Sequence, residues 1–273
     1  MLMCNFNYGD YVGQAIQSVL DQTMTDFQLV IVDDGSTDHS MSEIRRFKDS
    51  RILIISQENR GQAAAFNSGF MRCTGELIAF LDSDDWWLPR KLEAVLLAYR
   101  SCQEPIGLIQ HQVDVKGNGH AAPYRRILAT GYCFDEMKDT GFVDFFVPTS
   151  GITVPTENCK KIFPISESLK LSADAYITRT AVAFGVLLSI PETLGVYRKH
   201  ANAVFENDTF DNKGHFIDQV LPLINNFYFE HDLGEIRIEN ALRPKPPWEP
   251  KRRSLIKRVY GRLSRVFQNW ADA

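Results

Sequence analysis

The segment that decides the fold is Leu77-Ile78-Ala79-Phe80-Leu81-Asp82-Ser83-Asp84-Asp85. Its first five residues form a short apolar run, which is typical of a strand buried on both faces and therefore of a parallel sheet covered by helices. Runs of the same kind occur at Leu29-Val30-Ile31-Val32 and at Ile52-Leu53-Ile54-Ile55. They predict two further strands of the same sheet.

Helical patterns alternate with these strands. Apolar residues at helical spacing predict a helix over 12–20 with Asp10 as its N-cap, a second over 41–47, a third over 63–70 and a fourth after Pro89. The alternation predicts an α/β fold, with a doubly wound, mostly parallel sheet and helices on both faces. Such sheets bind their ligands at the carboxyl ends of the strands.

The composition is that of a folded protein. Of its 273 residues, 44% are hydrophobic and 23% are charged, which excludes a disordered chain. The five cysteines include no CxxC pair, so neither a disulfide scaffold nor a thiolate zinc site is expected, and a reducing compartment fits. No basic-then-apolar leader opens the chain, and the longest apolar run, 181–190, falls well short of the ~20 residues of a membrane-spanning helix. These features predict a soluble, cytoplasmic protein.

Charge is distributed unevenly along the chain. Residues 251–273 carry seven basic residues and one acid, a net charge of +6, which leaves −10 for the other 250 residues. Only this segment is suited to meet an anionic surface, and no nucleic-acid partner is expected. Apolar residues recur at helical spacing over 255–270, which predicts a basic amphipathic helix that either docks on the protein or lies on an anionic membrane. Four prolines within 243–250 predict a stiff linker before it.

Three acids at one strand end are the clearest functional signal. Asp82, Asp84 and Asp85 directly follow the apolar run, and carboxylates this close together repel one another. A divalent cation relieves the repulsion, and oxygen ligands fit Mg²⁺ or Mn²⁺ bound jointly with a substrate diphosphate. The alternative is that Asp84 or Asp85 merely caps the next helix.

A second pair of acids, Asp33 and Asp34, ends the strand over 29–32. Turn chemistry explains the Gly35-Ser36-Thr37 stretch that follows but not two adjacent acids before it. A carboxylate at a strand tip is able to accept a hydrogen bond from a nucleotide base. The small residues after Gly61 permit close approach of a ligand, although packing of a helix on the sheet is the better explanation when the segment is taken alone.

Taken in order, these pieces and their neighbours form a series at 5–8, 18–23, 32–38, 59–61, 65–69 and 75–85. The series resembles the nucleotide-sugar domain of family 2 glycosyltransferases, which have the GT-A fold. The resemblance is dense over 4–100 and looser to about 205. It implies a GT-A domain over 1–205, with a nucleotide-sugar half at 1–100 and an acceptor half at 101–205, followed by a helical extension at 206–242, the linker at 243–250 and the helix at 251–273.

The resemblance implies roles for matching residues. Asp34 contacts the base, and Asp82 and Asp84 match the Asp-x-Asp motif, with Asp84 as the direct metal ligand and Asp82 nearer the ribose and sugar. Tyr197-Arg198-Lys199-His200 is similar to a late Tyr-Arg-x-His segment that faces the diphosphate, although a lone histidine is often an ordinary surface or core residue. The residues expected at the nucleotide sugar are Cys4, Asn7, Asp33, Asp34, Arg60, Asn67, Asp82, Ser83 and Arg198, and those expected at the metal are Asp82, Asp84 and His200.

Transfer by a single displacement requires a general base that takes the proton of the acceptor. In the family, this base lies before a helix that follows an acceptor-side strand. The segment 149–154 resembles that strand, and Asp174 matches the base. Ala173 stands where the family often has Glu, so Glu167 is the second choice for the base. The alternative for Asp174 is a helix N-terminal acid, which the helix dipole favours.

The resemblance implies a metal-dependent enzyme that uses Mn²⁺ or Mg²⁺. It would transfer one sugar, from a UDP-sugar by preference, to the hydroxyl of a carbohydrate or lipid-linked acceptor with inversion. Polysaccharide, lipopolysaccharide or glycolipid assembly is the expected setting, on the inner face of the cell membrane if the helix at 251–273 binds lipid. Processive relatives carry transmembrane helices and a Gln-x-x-Arg-Trp motif, and neither is found in the sequence.

Three other interpretations stay open. An inactive nucleotide-binding relative would keep the same motifs without catalysis. A metal-dependent phosphotransfer or signalling module would need a lysine at a later strand end, and no obvious candidate is found. A sugar-1-phosphate nucleotidyltransferase would need a Gly-rich opening loop with Arg, which is absent from the sequence.

Overall fold

The computed structural model describes residues 1–117, 120–123, 130–140, 146–200 and 212–237. The strands are β1 (Leu2–Asn5), β2 (Leu29–Asp34), β3 (Ile52–Gln57), β4 (Leu77–Asp82), β5 (Trp86–Trp87), β6 (Ile106–Gly117), β7 (His120–Pro123), β8 (Ile152–Pro155) and β9 (Val186–Arg198). The helices are α1 (Gly9–Leu20), α2 (Ser40–Ile44), α3 (Gln62–Phe70), α4 (Lys91–Ser101), α5 (Phe134–Thr140), α6 (Thr156–Ile162), α7 (Ala173–Ala181), α8 (Asn212–His215) and α9 (Leu221–Glu230). A 3₁₀ turn at Thr149–Gly151 precedes β8, and a π-helical turn at Phe216–Val220 joins α8 to α9.

The strands form one mixed sheet in the order β3-β2-β1-β4-β8-β6-β9-β5, with β7 paired to β6. The predicted parallel arrangement is found for β3, β2, β1 and β4, whose carboxyl ends meet at one edge. Cys4 of β1 stands opposite Val32 of β2 on one side and Asp82 of β4 on the other. In the second half, β8 runs antiparallel between β4 and β6, whereas β6 and β9 are parallel.

Both faces of the sheet are covered by helices, as the sequence predicts. Because successive side chains of a strand point to opposite faces, each apolar run supplies two cores. One core packs strand residues against α3, through Leu2, Val30, Val32, Ile78, Phe80, Ala63 and Phe66. The other packs strand residues against α1 and α4, through Met3, Leu29, Ile31, Leu81, Val12, Ile16 and Leu92. Fully buried side chains of this kind contribute about 1.5–3 kcal/mol each to folding.

The first helix begins differently from the prediction. Asp10 is not the N-cap, because α1 starts at Gly9 and Asp10 lies in its first turn. The backbone N–H of Gly9 donates instead to Oδ2 of Asp38 at 2.8 Å. A carboxylate 29 residues along the chain therefore interacts with the N-terminal end of α1, where the helix dipole is positive. The second helix is also shorter than its pattern, since it ends at Ile44 and leaves Phe47 outside.

The described part of the 206–242 extension is helical up to Glu230 and packs on the acceptor half. Tyr228 of α9 donates from its hydroxyl to the carbonyl of Arg179 in α7 at 2.9 Å. Ile224 and Phe227 join the same core as Ile177. The predicted linker at 243–250 and the predicted basic helix at 251–273 lie outside the described residues. Within the described residues, no helix has both the length and the apolar character needed to cross a membrane.

Candidate functional site

A cavity of about 400 Å³ opens where the carboxyl ends of β1, β2 and β4 meet. This volume lies in the range of small-molecule sites. Five of the residues predicted to bind a nucleotide sugar or metal line it, namely Cys4, Asp34, Asp82, Ser83 and Asp84. The N-terminal end of α3 and the segment 170–172 close its other side. The strand ends therefore converge on one site, as expected for an open α/β sheet.

Asp34 holds the loop that borders this cavity. Its Oδ1 accepts hydrogen bonds from Nε2 of Gln57 at 2.7 Å and from the N–H of Arg60 at 3.0 Å. Its Oδ2 accepts one from the N–H of Gly61 at 2.8 Å. A carboxylate offers about four acceptor positions, so one position on Oδ2 is left over by these three bonds. Asp34 is thus both a structural anchor and a group able to accept from a ligand in the cavity.

Asp33, the adjacent acid, instead stabilises the turn that follows β2. Its Oδ1 accepts from Nδ2 of Asn5 at 2.8 Å and from the hydroxyl of Ser36 at 2.6 Å, and its Oδ2 accepts from the N–H of Ser36 at 3.2 Å. Asn7, which has a left-handed backbone, closes the same turn by accepting from the N–H of Thr37 at 2.8 Å. Neither Asp33 nor Asn7 is among the residues that line the cavity.

The segment 82–85, here called the aspartate turn, brings three carboxyl groups together at the cavity. The N–H of Asp85 donates to the carbonyl of Asp82 at 3.1 Å and closes the turn. Burial raises the pKa of Asp82 well above its ordinary value, and the charges of Asp84 and Asp174 raise it further. Burial also raises the pKa of Asp85, with Asp84 and Asp82 adding to the effect. Such a set of carboxylates favours a bound cation.

His200 completes this cluster from the end of β9. Its Nε2 lies 3.0 Å from Oδ2 of Asp84, and both side chains are almost fully buried. The imidazole is held between two aromatic rings, with centroid distances of 4.4 Å to Tyr11 and 5.4 Å to Tyr8. In the part of the chain that the structure describes, its Nδ1 has no hydrogen-bond partner. His200 therefore contacts Asp84 directly, and its predicted role as a metal ligand stays a prediction.

Arg198 contacts the aspartate turn through its backbone and its side chain. Its N–H donates to Oδ1 of Asp85 and its Nε donates to the carbonyl of Asp84, both at 2.7 Å. The guanidinium donates to Oε1 of Gln14 and lies 4.5 Å from the ring centroid of Trp86. Arg198 is not among the cavity-lining residues, so its predicted contact with the donor stays a prediction.

Asp174 lies in the first turn of α7, close to the aspartate turn. Burial raises its pKa, and its charge in turn raises the pKa of Asp82. The hydroxyl of Thr149 interacts with both carboxylates and opposes this rise in each. A carboxylate with a raised pKa is suited to accept a proton near neutral pH. The two acids from the two halves of the chain are thus neighbours, although Asp174 itself does not line the cavity.

The segment after α6 forms a wall of the cavity and is tied to α3. Nδ2 of Asn67 donates to the carbonyl of Ile165 at 2.7 Å, and the N–H of Ile165 donates back to Oδ1 of Asn67 at 2.8 Å. The N–H of Gln62 donates to the carbonyl of Lys170 at 3.0 Å, and its Oε1 accepts from the N–H of Ala173 at 2.9 Å. Both polar atoms of the Asn67 side chain are therefore engaged in hydrogen bonds that join the nucleotide-sugar half to the acceptor half.

Arg60 and Glu167 form an ion pair at the rim. Nη1 of Arg60 lies 3.3 Å from a carboxylate oxygen of Glu167, and both side chains are about half exposed. The Nζ of Lys170 donates to the carbonyl of Arg60 at 2.8 Å. Gly61 permits this close approach, because its φ is +91° and a Cβ there would lie 2.9 Å from Cα of Lys170. Glu167 is thus held at the exposed rim by a direct ion pair.

Several residues at the site were not predicted. Lys170, Gln62 and Tyr8 line the cavity, and Thr149 and Ser150 contact the aspartate turn. Gln62 directly follows Gly61 of the predicted series, and Thr149 and Ser150 open the segment interpreted as the acceptor-side strand. Their places next to predicted motifs could therefore have indicated Gln62, Thr149 and Ser150 as site residues. Lys170 carries no comparable signal, because its place depends on a contact with a loop 110 residues away.

The donor atoms around Asp84 determine how well the site fits a divalent cation. Among the described residues, no group of three or more His, Cys, Asp or Glu side chains is arranged to hold a metal ion. The atoms present are a carboxylate of Asp84 and an imidazole of His200, with Asp82 nearby. Imidazole and carboxylate suit Mn²⁺, and cations of this kind take their remaining ligands from substrate phosphates and water. The residues therefore fit a cation that binds together with an anionic ligand.

Comparison with known proteins identifies similar sequences. Residues 1–157 match the family model described as Glycosyl transferase family 2. An uncharacterized glycosyltransferase of Nostoc sp. is 34% identical over 242 residues, which cover 83% of this chain and 74% of that protein. The UDP-Glc:alpha-D-GlcNAc-diphosphoundecaprenol beta-1,3-glucosyltransferase WfgD of Escherichia coli is 38% identical over 94 residues, which cover 34% of this chain and 37% of that protein. The putative teichuronic acid biosynthesis glycosyltransferase TuaG of Bacillus subtilis is 40% identical over 103 residues, 36% of this chain and 41% of that protein.

Solved structures share the fold. TarS residues 1–349 of S. aureus in complex with UDP-GlcNAc superimposes with a TM-score of 0.69 at 19% identity, covering 86% of this chain and 67% of that one. The mannosyltransferase PcManGT of Pyrobaculum calidifontis in complex with GDP-Man and Mn²⁺ gives a TM-score of 0.55 at 15% identity, covering 74% of this chain and 57% of that one. At these identities the similarity concerns the fold, and it confirms the fold class predicted from the sequence.

Proposed function

Because the chain belongs to glycosyltransferase family 2 and has a GT-A fold, we propose that it transfers a single sugar from a nucleotide-diphosphate sugar to an acceptor hydroxyl with inversion. One observation carries this proposal. The cavity is lined by the carboxylate of Asp34, at the end of β2, and by Asp84, which follows β4 and contacts His200. A nucleotide diphosphate has its base and its diphosphate at opposite ends, which matches this arrangement.

The donor is proposed to be a UDP-sugar. The name of WfgD specifies UDP-Glc, and TarS was crystallised with UDP-GlcNAc, whereas PcManGT was crystallised with GDP-Man. In the proposed complex Asp34 accepts from an N–H of the base through its remaining Oδ2 position. Cys4 and Ser83 border the same space, and Asp82 faces the ribose and sugar. The proposed part of Asn7, Asp33, Arg60 and Asn67, which do not line the cavity, is to hold the loops around it.

Mn²⁺ or Mg²⁺ is the proposed cofactor. Asp84 and His200 would hold the cation, with Asp82 beside it, and the donor set of one imidazole and one or two carboxylates favours Mn²⁺. When bound, the cation supplies positive charge that stabilises the departing diphosphate. Burial and neighbouring acids raise the pKa of Asp82, so a cation beside it would stabilise its ionised carboxylate.

Asp174 is the proposed general base. The acceptor hydroxyl gives its proton to the Asp174 carboxylate as its oxygen bonds to the anomeric carbon, and the bond from that carbon to the diphosphate oxygen breaks. Attack from the face opposite the leaving group inverts the anomeric carbon. Enclosure raises the pKa of Asp174, which improves its basicity. Glu167 is less suited, since it is half exposed and paired with Arg60.

The acceptor is proposed to be a carbohydrate or lipid-linked saccharide in polysaccharide, lipopolysaccharide or glycolipid assembly. The names of WfgD and TuaG support this class, since they specify a diphosphoundecaprenol-linked acceptor and teichuronic acid biosynthesis. A lipid-linked acceptor would suit a peripheral position on the cytoplasmic face of a membrane. The basic segment 251–273 is the proposed contact, because each Lys or Arg near an anionic surface contributes about 1 kcal/mol.

The membrane contact is tested by co-sedimentation with liposomes. The full chain and a version truncated after Arg243 are compared on anionic and neutral vesicles at low and high salt. We expect only the full chain to sediment, and only with anionic vesicles at low salt. Equal sedimentation of the two versions, or binding that ignores lipid charge, would support a helix docked on the protein.

The transfer reaction is tested by release of nucleoside diphosphate. A panel of nucleotide sugars is first screened for thermal stabilisation with Mn²⁺, and the best donor is then incubated with acceptor extracts. We expect UDP release that depends on acceptor, and a product whose anomeric configuration, measured by NMR, is opposite to that of the donor. Donor binding without release would favour an inactive nucleotide-binding relative. Phosphate transfer to the protein, or pyrophosphate-dependent nucleotide exchange, would favour the phosphotransfer or nucleotidyltransferase interpretation.

A further inference from the structure

Asp85, the last acid of the aspartate turn, has no access to the cavity. Its side chain is 0% exposed, and both of its oxygens are engaged. Oδ1 accepts from the N–H of Arg198 at 2.7 Å, and Oδ2 accepts from the hydroxyl of Ser150 at 2.6 Å. Both bonds are short and Asp85 is fully buried, which strengthens hydrogen bonds to its carboxyl group. A direct contact between Asp85 and a donor or cation is therefore excluded, and its function must be exerted through these two partners.

The Ser150 partner connects Asp85 to the acceptor half. The Oγ of Ser150 also accepts from the N–H of Asp82 at 3.1 Å, and its carbonyl accepts from Nε1 of Trp87 at 2.7 Å. Ser150 is therefore fixed to both ends of the aspartate turn. The neighbouring Thr149 interacts through its hydroxyl with Asp82 and with Asp174. A shift of Ser150 would therefore also displace Thr149 relative to these two carboxylates.

The Arg198 partner connects Asp85 to the end of β9. Arg198 donates two hydrogen bonds to the aspartate turn, from its N–H to Asp85 and from its Nε to the carbonyl of Asp84. Two residues later, Nε2 of His200 meets Oδ2 of Asp84 at 3.0 Å. Only one residue separates Arg198 from His200. The backbone bond from Arg198 to Asp85 therefore helps to fix the position of the imidazole relative to Asp84.

We infer that Asp85 is a positioning residue, which uses one carboxyl group to align His200 from β9 and the Thr149-Ser150 turn around Asp82 and Asp84. The inference rests on the proposed function, since it assigns the alignment to the metal and diphosphate end of the site. It predicts that loss of Asp85 lowers the affinity for the cation. Binding of the nucleotide base should be unaffected, because the hydrogen bonds of Asp85 do not involve Asp34 or the 59–61 loop.

The test compares Asp85→Ala with Asp85→Asn by calorimetric titration of UDP, with and without Mn²⁺. Ala leaves the Arg198 N–H and the Ser150 hydroxyl without a partner. Asn keeps one oxygen for Arg198, while its amide N–H is able to donate to the Oγ of Ser150. We expect the Mn²⁺-dependent gain in UDP affinity to fall about 10- to 100-fold in Asp85→Ala, the usual effect of losing an outer-sphere partner. We expect Asp85→Asn to restore most of it, and UDP affinity without metal to be unchanged in both.

Asn158→Ala is the matched control. Asn158 is also buried, and its Nδ2 donates to the carbonyls of Ile106 at 2.8 Å and Gly107 at 3.2 Å, away from the aspartate turn. Its substitution should lower the melting temperature without changing the Mn²⁺-dependent gain. If Asp85→Ala does not fold, Ser150→Ala, which removes one of the two bonds, is titrated in its place with the same expected direction.

The outcomes separate the inference from the proposed function. A normal Mn²⁺-dependent gain in folded Asp85→Ala or Ser150→Ala overturns the inference alone. A loss that Asp85→Asn does not restore also overturns it, because the charge rather than the alignment would then be required. A wild type whose UDP affinity does not respond to Mn²⁺ overturns the metal assignment, and the positioning inference with it.

Discussion

The adjacent acids Asp33 and Asp34 provide a matched test of the nucleotide site. Both are almost fully buried, at 2% and 4% exposure, and each accepts three hydrogen bonds. Only Asp34 lines the cavity. We therefore compare Asp33→Asn with Asp34→Asn, two substitutions with the same chemistry at positions that differ in access to the ligand.

The expected magnitude follows from the number of bonds. If the amide of Asp34→Asn keeps its oxygen at the Oδ1 position, the NH₂ faces the N–H of Gly61 and one bond to a charged acceptor is lost. Such a bond contributes about 1.5–3 kcal/mol, which is the expected fall in the free energy of unfolding. Loss of the remaining acceptor position for the base costs a similar amount of binding free energy, equivalent to an affinity for UDP that is about 10- to 150-fold lower.

Asp33→Asn should lower stability by the same order, because it disturbs the bonds to Asn5 and Ser36. It should leave UDP affinity within about threefold of the wild type. Urea denaturation measures the first quantity and calorimetric titration of UDP the second. Equal losses of affinity in the two variants would refute the separation of roles, as would normal UDP affinity in Asp34→Asn.

Three further predictions concern the base, the wall of the cavity and a buried lysine. Asp174→Asn should keep donor affinity but lower the rate of UDP release with acceptor by about 10²–10⁴, the usual contribution of a general base. Asn67→Ala leaves both backbone groups of Ile165 unpaired, so urea denaturation should show a loss of about 2–5 kcal/mol, with UDP affinity retained. Lys91 is fully buried, with Nζ 3.3 Å from the hydroxyl of Thr153, and burial lowers its pKa well below the ordinary value. The unfolded chain then binds more protons, so the stability of the wild type should rise relative to Lys91→Met between pH 6 and pH 9.

Each of these predictions has its own contradicting result. Normal turnover of Asp174→Asn together with a loss of turnover in Glu167→Gln would reassign the base to Glu167. A loss of UDP affinity in Asn67→Ala at unchanged stability would place Asn67 at the donor instead of in the wall. A flat stability difference between the wild type and Lys91→Met would show that the pKa of Lys91 is the same in the folded protein as in the unfolded chain, and a difference that falls as the pH rises would show that folding raises it.

The parts of the fold that local sequence determines were predictable. The apolar runs at 29–32, 52–55 and 77–81 became β2, β3 and β4, because a strand buried on both faces needs no polar alternation. In the second half, the resemblance of 149–154 to an acceptor-side strand anticipated β8, whereas β6, β7 and β9 escaped prediction. β6 and β9 are interrupted by polar residues and by register shifts, and the pairing of β8 depends on partners far along the chain.

The site was predictable to the level of the strand ends, and less so at individual residues. Asp33 and Asp34 carry the same chemistry, but successive residues of a strand point in opposite directions, so only one of them reaches the cavity. Asn67 belongs to the predicted series, yet its partner Ile165 is 98 residues away and no local pattern reveals it. The N-cap assigned to Asp10 failed for the same reason, since the carboxylate at the start of α1 comes from Asp38.

The central claim is that a nucleotide diphosphate binds across the cavity with its diphosphate at Asp84. It is tested most directly by titrating UDP into the wild type and into Asp84→Ala, each with and without Mn²⁺. The account predicts that Mn²⁺ strengthens UDP binding to the wild type, and that folded Asp84→Ala binds UDP weakly and without response to the metal. Wild-type affinity in Asp84→Ala with Mn²⁺ present would contradict the account.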